Sequence, residues 1–526
     1  VKIIVADDLP SSALDLLRTE GWTLDARSGR PLAELIADIA DADAIVVRSA
    51  TKVTADLIAA APKLRAIARA GTGVDNVDVS AASERGIVVM NAPGANSISV
   101  AELTMALVLA LARKISAADA SMKQGKWDKK TFLGEELRGK VLGLAGLGRI
   151  GQEVARRARA FEMTVIAYDP FINANLARDL RIELVSLDEL CQRANYLSLH
   201  MPSTAETRHT FDATRLKACR KGLRIINTAR GELIDERALA DAIEAGHIGG
   251  AALDVFQKEP TTDHRLQMLP QVIATPHIAA STREGQELVG VETATALRDF
   301  LKTGVIRNAV NFPALAPEEF EKLKPFAEVA RRLGSLLGQM GAAPIEAVSI
   351  RYYGALSGAS NPLIVSSVLE GLLGSVLSTP VTPVNARAIA AERGIDVTES
   401  QSARTREYTS LLSVRLRTQE GERWVEGTVV HGDPHLILLN GVKVDASLDG
   451  SMMLMTNNDT PGVVGAVGTI LGRHNVNIAK FALGRNERCA VGVLTVDDEK
   501  GNALSKEIMA EIRAVPSIER AWAVRV

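Results

Sequence analysis

Residues 141–145, Val-Leu-Gly-Leu-Ala, run straight into Gly146-Leu147-Gly148-Arg149-Ile150-Gly151. A short apolar strand that ends in glycines at this spacing and opens a helical pattern near Gln152 fits a parallel sheet with a tight strand-to-helix turn. The three glycines serve different ends: Gly146 makes the turn, Gly148 lets backbone approach a pyrophosphate, and Gly151 allows close packing of helix on strand. The helix amino end adds free N–H groups and a dipole that favour phosphate. A plain glycine turn in such a layer reads the same way, so context has to decide. The next predicted strand, 164–168, is followed by Asp169. This is near the roughly 20-residue offset at which a carboxylate meets the ribose hydroxyls of NAD and repels the 2′-phosphate of NADP.

The strand–helix rhythm continues on both sides. Before the fingerprint, β-branched runs at 2–6, 44–48, 64–69 and 87–90 alternate with helical stretches at 11–20 and 32–40, which predicts a parallel α/β layer. After it, strands are predicted at 196–200, 224–227, 250–254 and 272–274, making a second, larger doubly wound layer. Helical patterns at 97–118 and 283–302 are the predicted crossings. The fold class expected is α/β, with two Rossmann-like parallel-sheet domains: a discontinuous substrate-binding domain, 1–94 with 279–312, around a dinucleotide-binding domain over 95–278. Pro313, Pro317 and Pro325 then punctuate a polar stretch read as a domain junction. Beyond it an α+β intervening domain is predicted over 313–449, mainly helical at 326–378 and mainly strand at 411–444. The last unit, 450–526, reads strand–helix–strand–strand–helix–strand, a ferredoxin-like order.

The 61 Lys and Arg nearly cancel the 63 Asp and Glu, so no overall basic field exists to hold nucleic acid by counterion release. Cys191, Cys219 and Cys489 lie far apart; this matches neither a disulfide framework nor a zinc spacing, and suits a reducing compartment. Asp7 and Asp8 interrupt the amino end before a signal-peptide apolar stretch develops. The longest apolar run, 105–112, is far short of the ~20 residues that a membrane helix needs. A cytoplasmic protein is expected, with no metal, membrane or nucleic-acid partner.

Three more segments stand at the carboxyl ends of predicted strands, where an open parallel sheet has its ligand crevice. They are Asn227-Thr228-Ala229-Arg230-Gly231, Asp254-Val255-Phe256-Gln257-Lys258-Glu259-Pro260 and Thr275-Pro276-His277-Ile278-Ala279. An Arg, a Glu and a His are thus expected at one place. Together with Val47-Arg48-Ser49-Ala50-Thr51-Lys52, Arg69-Ala70-Gly71-Thr72-Gly73-Val74-Asp75-Asn76, and Lys126-Trp127 with Lys129 and Lys130, they carry a resemblance over nearly the whole chain. The chain resembles the D-isomer-specific 2-hydroxyacid dehydrogenases, in particular their long branch that ends in an ACT domain. The resemblance implies NAD-dependent oxidation of D-3-phosphoglycerate to 3-phosphohydroxypyruvate, the first step of L-serine synthesis, by a homodimer or homotetramer. The alternatives are a dehydrogenase for another D-2-hydroxyacid, such as glycerate or 2-hydroxyglutarate, and a non-catalytic NAD-sensing scaffold.

On this resemblance His277 is the acid/base at the substrate hydroxyl, which suits the near-neutral pKa of imidazole. Glu259 holds the other ring nitrogen, and Arg230 offers the substrate carboxylate a planar, permanently charged fork. Arg48, Lys52 and Arg69 are the implied phosphate ligands, with Lys129 reaching in from a neighbouring subunit; a doubly charged phosphate needs more than one cation to leave water. Gly73, Val74 and Asn96 are the implied donors to the substrate carboxylate. The implied cofactor set is Thr72, Gly146, Gly148, Arg149, Ile150, Gly151, Asp169, Pro202, Thr204, Ala229, Asp254 and Ala279. Ala279 departs from the glycine common in the family, and its methyl is expected beside the nicotinamide carboxamide.

Residues 457–465 read as a strand end and a helix start, with Thr460 as N-cap and Pro461 at the first helical position. The stretch resembles an ACT domain, which implies an amino-acid effector such as L-serine between paired domains, its ammonium at Asp459 and its polar groups at Asn477. A dimerising module without a ligand is the alternative, and Asn457, where related sensors carry a tyrosine, weighs toward it. For 313–449 the resemblance implies an assembly and allosteric role, with a second anion site as a further expectation and no site residues named.

Overall fold

The computed structural model describes residues 1–313, 315–341, 343–357, 361–404, 406–487, 489–498 and 503–526, leaving aside the side chains at 174 and 317. Strands Lys2–Val5, Ala44–Val47, Ala66–Arg69 and Val88–Met90 are almost wholly buried runs of β-branched and small residues, as parallel strands covered on both faces must be. With Thr23–Asp25 at one edge they form a five-stranded parallel sheet, ordered 2-1-3-4-5 by position in the chain. The chain leaves this sheet after Val88–Met90 and comes back to it late. Helix Arg283–Thr303 lays Ala294, Leu297 and Leu301 on Ile3, Val5 and Ala66, and the Val310 N–H donates to the Val89 carbonyl at 2.8 Å.

In between lies a seven-stranded parallel sheet made of Val141–Ala145, Thr164–Tyr168, Glu183–Leu184, Tyr196–Leu199, Arg224–Asn227, Gly250–Leu253 and Val272–Ala274, ordered 3-2-1-4-5-6-7. The order reverses between Val141–Ala145 and Tyr196–Leu199, the point at which such a sheet opens its crevice. Helix Ser97–Arg113 buries Ala101, Met105 and Val108 in one core with Leu142, Leu144 and Val154. The single helix expected over 97–118 is two helices. Lys114 takes a left-handed φ of 53°, and helix Ile115–Lys123 follows with no buried residue, because the apolar period that holds the first helix on the sheet stops at Ala112.

The block expected to be mainly helical is mixed. Helices Pro317–Gln339 and Pro362–Gly374 pack so closely that a Cβ on Gly334 would stand 2.1 Å from the Val368 carbonyl oxygen. Pro325, read as part of a junction, lies inside the first of these helices. Between them runs strand Ile345–Gly354, whose alternating burial is the period-2 pattern of a half-buried strand. Asp396–Ser402, too polar to read as a strand, pairs parallel to it at the sheet edge. Residues 342 and 358–360 of that block lie outside the described residues. Ser410–Thr418, Gly421–Val430, Asp433–Leu439 and Val442–Ser447 complete a six-stranded sheet, antiparallel beyond its first pair.

Strands Ser451–Asn457, Ile478–Arg485, Ala490–Val496 and Ile518–Arg525 form an antiparallel sheet ordered 2-3-1-4, the expected ferredoxin-like arrangement. Helices Val463–Arg473 and Lys506–Arg513 cover one face, through Val467, Leu471, Met509 and Ile512. The other face shares a core with the six-stranded sheet. The first helix starts at Val463 behind Gly462, not at Pro461 behind Thr460. Asp459 (φ 51°) and Gly462 (φ 97°) both take left-handed backbone, so the chain is still turning where a helix was expected. Among the described residues no helix is long and apolar enough to cross a membrane.

Candidate active site

The three glycines of the turn differ as expected. Gly146 has φ 102°, and a Cβ there would stand 2.6 Å from the His200 carbonyl oxygen; one on Gly151 would stand 2.4 Å from that of Gly146. A Cβ on Gly148 would meet nothing within 4 Å. The outer glycines therefore answer to the protein itself, and the middle one leaves backbone open to a ligand. Asp169 Oδ2 accepts from the Leu147 N–H at 2.8 Å and Oδ1 from the Phe171 N–H at 2.9 Å, which fixes the carboxylate over the turn. Gly146, Gly148, Asp169, Pro202 and Thr204 line a cleft of about 1050 Å³. Its open backbone, helix terminus and the Asp169 carboxylate fit a dinucleotide. His200, at the same turn, stays neutral: burial pushes its pKa down to about 4, and Nε2 lies 2.9 Å from Ser198 Oγ. The side chains of Arg149 and Ile150 do not serve this cleft. The Arg149 guanidinium donates to the Pro93 carbonyl and Ile150 packs into the core, so these positions offer backbone only.

A second cleft, of about 690 Å³, lies between the two parallel units and is lined by Arg48, Arg69, Asn96, Glu259 and His277. His277 takes a left-handed φ of 53° just past strand Val272–Ala274, and its N–H donates to the Asp254 carbonyl at 2.8 Å. Asp254 is fully buried. Its carboxylate accepts from Thr275 Oγ1 at 2.5 Å, the Ile278 N–H at 2.9 Å and the Ala279 N–H at 2.8 Å. Asp254 lines neither cleft. Its side chain fixes the loop that carries His277, since a buried carboxylate must collect donors. Ala279 is buried within that loop without left-handed backbone, so the extra methyl is housed.

Glu259 completes the pair. Its Oε2 lies 2.7 Å from His277 Nδ1, and Oε1 accepts from the Phe256 N–H at 3.0 Å. The hydrogen bond that Nδ1–H donates to Glu259 raises the His277 pKa, against burial, which lowers it. With Nδ1 engaged, Nε2 is the ring nitrogen left for chemistry.

The opposite wall is cationic. Arg69 is mostly buried, and its Nε has no hydrogen-bond partner among the described residues. Burial and the nearby Arg230 push its pKa down to about 10. A guanidinium drawn out of water beside another is short of negative charge, as an anion site is. Arg48 joins the wall on a loop held by Asp7, which accepts from the Arg48 N–H at 2.5 Å and the Thr51 hydroxyl at 2.6 Å. Asn76 Nδ2 donates to the Arg48 and Thr51 carbonyls at 2.7 and 2.6 Å. Nothing in the sequence marks Asp7 or Asn76 as a brace of the site. The same anchoring leaves Lys52 exposed and outside both clefts, so its predicted role is not met within this chain. Lys129 is exposed as well, its Nζ 5.9 Å from the Trp127 ring centroid.

Thr72 Oγ1 donates to Asn96 Oδ1 at 2.8 Å, and Val74 packs into the core of the first unit. Gly73 is pressed on Arg230: a Cβ there would stand 1.8 Å from Nη2. Arg230 Nη1 donates to the Ala229 carbonyl at 2.6 Å, while Nε and Nη2 each lie 2.9 Å from Asp75 Oδ2. Asp75 lies within the 69–76 segment, yet nothing local marks it as a partner of Arg230. Ser281 and Gln286, at the start of the returning helix, also line the second cleft.

Asp459 and Asn477 are not brought together. Asn457 sits opposite Ala490, whereas Ile478 sits opposite Val496, so the two lie at opposite ends of the sheet. A strand–helix–strand crossover carries the chain back to the edge where it began, which separates the end of one strand from the start of the next. Asn477 Nδ2 donates to Asp497 Oδ2 at 2.6 Å, and Asp459 Oδ2 lies 3.9 Å from Arg485 Nη1.

Residues 105–279 match the family described as D-isomer specific 2-hydroxyacid dehydrogenase, NAD binding domain, and 322–440 match the D-3-phosphoglycerate dehydrogenase intervening domain. The D-3-phosphoglycerate dehydrogenase of Archaeoglobus fulgidus is 41% identical over 503 residues, 95% of either chain. That of Methanocaldococcus jannaschii is 41% identical over 520 residues, 99% of this chain and 98% of that one. Among solved structures, a glyoxylate reductase from Paecilomyes thermophila is 30% identical with a TM-score of 0.56, covering 59% of this chain and 98% of that one. The D-lactate dehydrogenase of Aquifex aeolicus, solved with NAD and lactic acid, is 28% identical with a TM-score of 0.53, covering 60% of this chain and all of that one.

Proposed function

The chain belongs to the D-isomer-specific 2-hydroxyacid dehydrogenases, on the D-3-phosphoglycerate dehydrogenase branch, and from that premise we propose how its own residues oxidise D-3-phosphoglycerate. The observation that carries the reading is the His277–Glu259 pair, 2.7 Å apart, facing a cationic wall at the carboxyl edge of a sheet whose glycine turn fits NAD. Arg48 and Arg69 take the phosphate; Arg230, Asn96 and the backbone at 73–74 take the carboxylate. This leaves the C2 hydroxyl to His277 Nε2. The 146–151 turn and Asp169 would hold NAD, which would supply the acceptor for the C2 hydride. His277 removes the hydroxyl proton, Glu259 stabilises the imidazolium so formed, and Arg230 draws electron density toward the C2 oxygen. Initial rates with D-3-phosphoglycerate, D-glycerate and D-2-hydroxyglutarate, each with NAD and NADP, test this. The phosphorylated acid with NAD should be preferred by about tenfold or more in kcat/KM, the worth of one charge-assisted bond; equal rates with D-glycerate would discard the phosphate assignment.

The units divide as 1–94 with 279–312 for substrate, 95–278 for NAD, 313–449 for assembly and 450–526 as an ACT domain. The work is done in the cytoplasm, where this substrate and NAD are at hand. A second copy covers helix Ile115–Lys123 and its neighbours: Ile115, Met122, Trp127 and Leu133 are all at least half exposed, which is unusual for a monomer surface. Lys129 would then reach the partner's cleft. Likewise an effector such as L-serine would meet Asp459 of one copy and Asn477 of another, since two sheets paired side by side about a two-fold axis bring opposite ends together. Sedimentation of the wild type and of Leu133→Glu tests the pairing, and a smaller species is expected for the variant.

A further inference from the structure

Arg230 is held on three sides. Gly73 presses on Nη2, the Ala229 carbonyl takes Nη1, and Asp75 Oδ2 takes the remaining edge from both Nε and Nη2. Asp75 belongs to the loop after strand Ala66–Arg69 of the first unit, and Arg230 follows strand Arg224–Asn227 of the second. The pair therefore spans the two units. The edge it occupies is the one a planar fork would present to a substrate carboxylate, and it is filled by the same functional group. Asp75 also lies close enough to Arg69 to act on its charge, as does the buried Asp7, so Asp75 answers two arginines at once. Its side chain is 64% exposed against 28% for that of Arg230. Asp75 can therefore leave for water at little cost, whereas Arg230 stays where Gly73 and Ala229 hold it.

We infer that Asp75 is an internal stand-in for the substrate carboxylate, holding Arg230 across the cleft until substrate displaces it. Two carboxylates cannot share that edge, so binding requires the pair to open, and the apparent affinity falls by the fraction of molecules in which it is closed. Asp75 is thus a positioning residue acting through Arg230, and the inference rests on Arg230 being the carboxylate ligand.

The test is a split between KM and kcat for D-3-phosphoglycerate at saturating NAD, in the wild type, Asp75→Asn, Asp75→Glu and Arg230→Lys. Asn keeps the size of Asp and removes the charge. An exposed ion pair of ordinary strength predicts that Asp75→Asn lowers KM about two- to fivefold with kcat nearly unchanged. Asp75→Glu, which keeps the charge, should return KM toward the wild-type value. NAD affinity, measured by fluorescence titration, should not move in either variant. If Asp75→Asn leaves KM unchanged, or raises it while lowering kcat, Asp75 only shapes its loop and the stand-in is overturned. Arg230→Lys separates the two ideas. Should it impair turnover while Asp75→Asn fails to lower KM, only the stand-in falls; should it change neither KM nor kcat, the carboxylate assignment falls and Asp75 with it.

Discussion

The cleft between the two parallel sheets and the four-stranded sheet at the carboxyl end treat distant residues in opposite ways. Arg48, Arg69, Glu259 and His277 come from separate strand–helix units and line one cleft. Asp459 and Asn477 flank a single helix and end up at opposite ends of one sheet. The difference is topological. In a parallel sheet every strand delivers its carboxyl end to the same edge, so loops far apart in sequence converge. In a split β-α-β unit one crossover turns the chain back on itself, and a site built from both of its ends needs a second copy.

Substitutions should therefore act very differently in the two regions. His277→Ala should lower kcat by at least ~10²-fold while leaving NAD affinity near normal, since positioned acid/base groups contribute that much to the transition state; a variant that keeps most of its kcat would break the convergence argument at its centre. Asp169→Ala should raise the KM for NAD by roughly tenfold, the worth of one charge-assisted hydrogen bond, and narrow the gap to NADP. An unchanged preference between the cofactors would remove Asp169 from the ribose. The smallest effect belongs to the carboxyl-terminal sheet. Asp459→Ala should keep kcat within about twofold when no effector is present, and any response to L-serine in the wild type, several-fold to about a hundredfold for typical coupling, should be lost. Calorimetric titration with L-serine alongside turnover separates a sensor uncoupled from the cleft from a sheet that only assembles.

The residues legible from sequence were those whose signal is local. The 146–151 glycines announce their turn by spacing, and Arg230, Glu259 and His277 each sit in the loop after a recognisable strand. What escaped were partners made by tertiary approach. Asp7 and Asn76 brace the Arg48 loop, and Asp75 meets Arg230 only because two units face each other. Asp254 is conspicuous as an acid at a strand end, yet its bonds to the loop that carries His277 are again made by tertiary approach. Strand Ile345–Gly354 carries its alternation between two helices of a long apolar block that masks it, whereas Asp396–Ser402 has no apolar face to show.

The His277–Glu259 pair is the centre of the catalytic reading, and its charge gives the most direct test. Oxidation needs His277 neutral, so kcat/KM should fall as pH drops through its pKa, which the Glu259 hydrogen bond holds above the usual histidine value. Removing that carboxylate leaves burial and Arg230, which lower the pKa, against the smaller opposing effect of Asp254. The pH profile of kcat/KM for D-3-phosphoglycerate oxidation, measured for the wild type and Glu259→Gln, should therefore show the acid limb moving to lower pH in the variant, with a reduced plateau. An acid limb that stays in place, or moves to higher pH, would mean that His277 is not the base or that Glu259 does not set its charge.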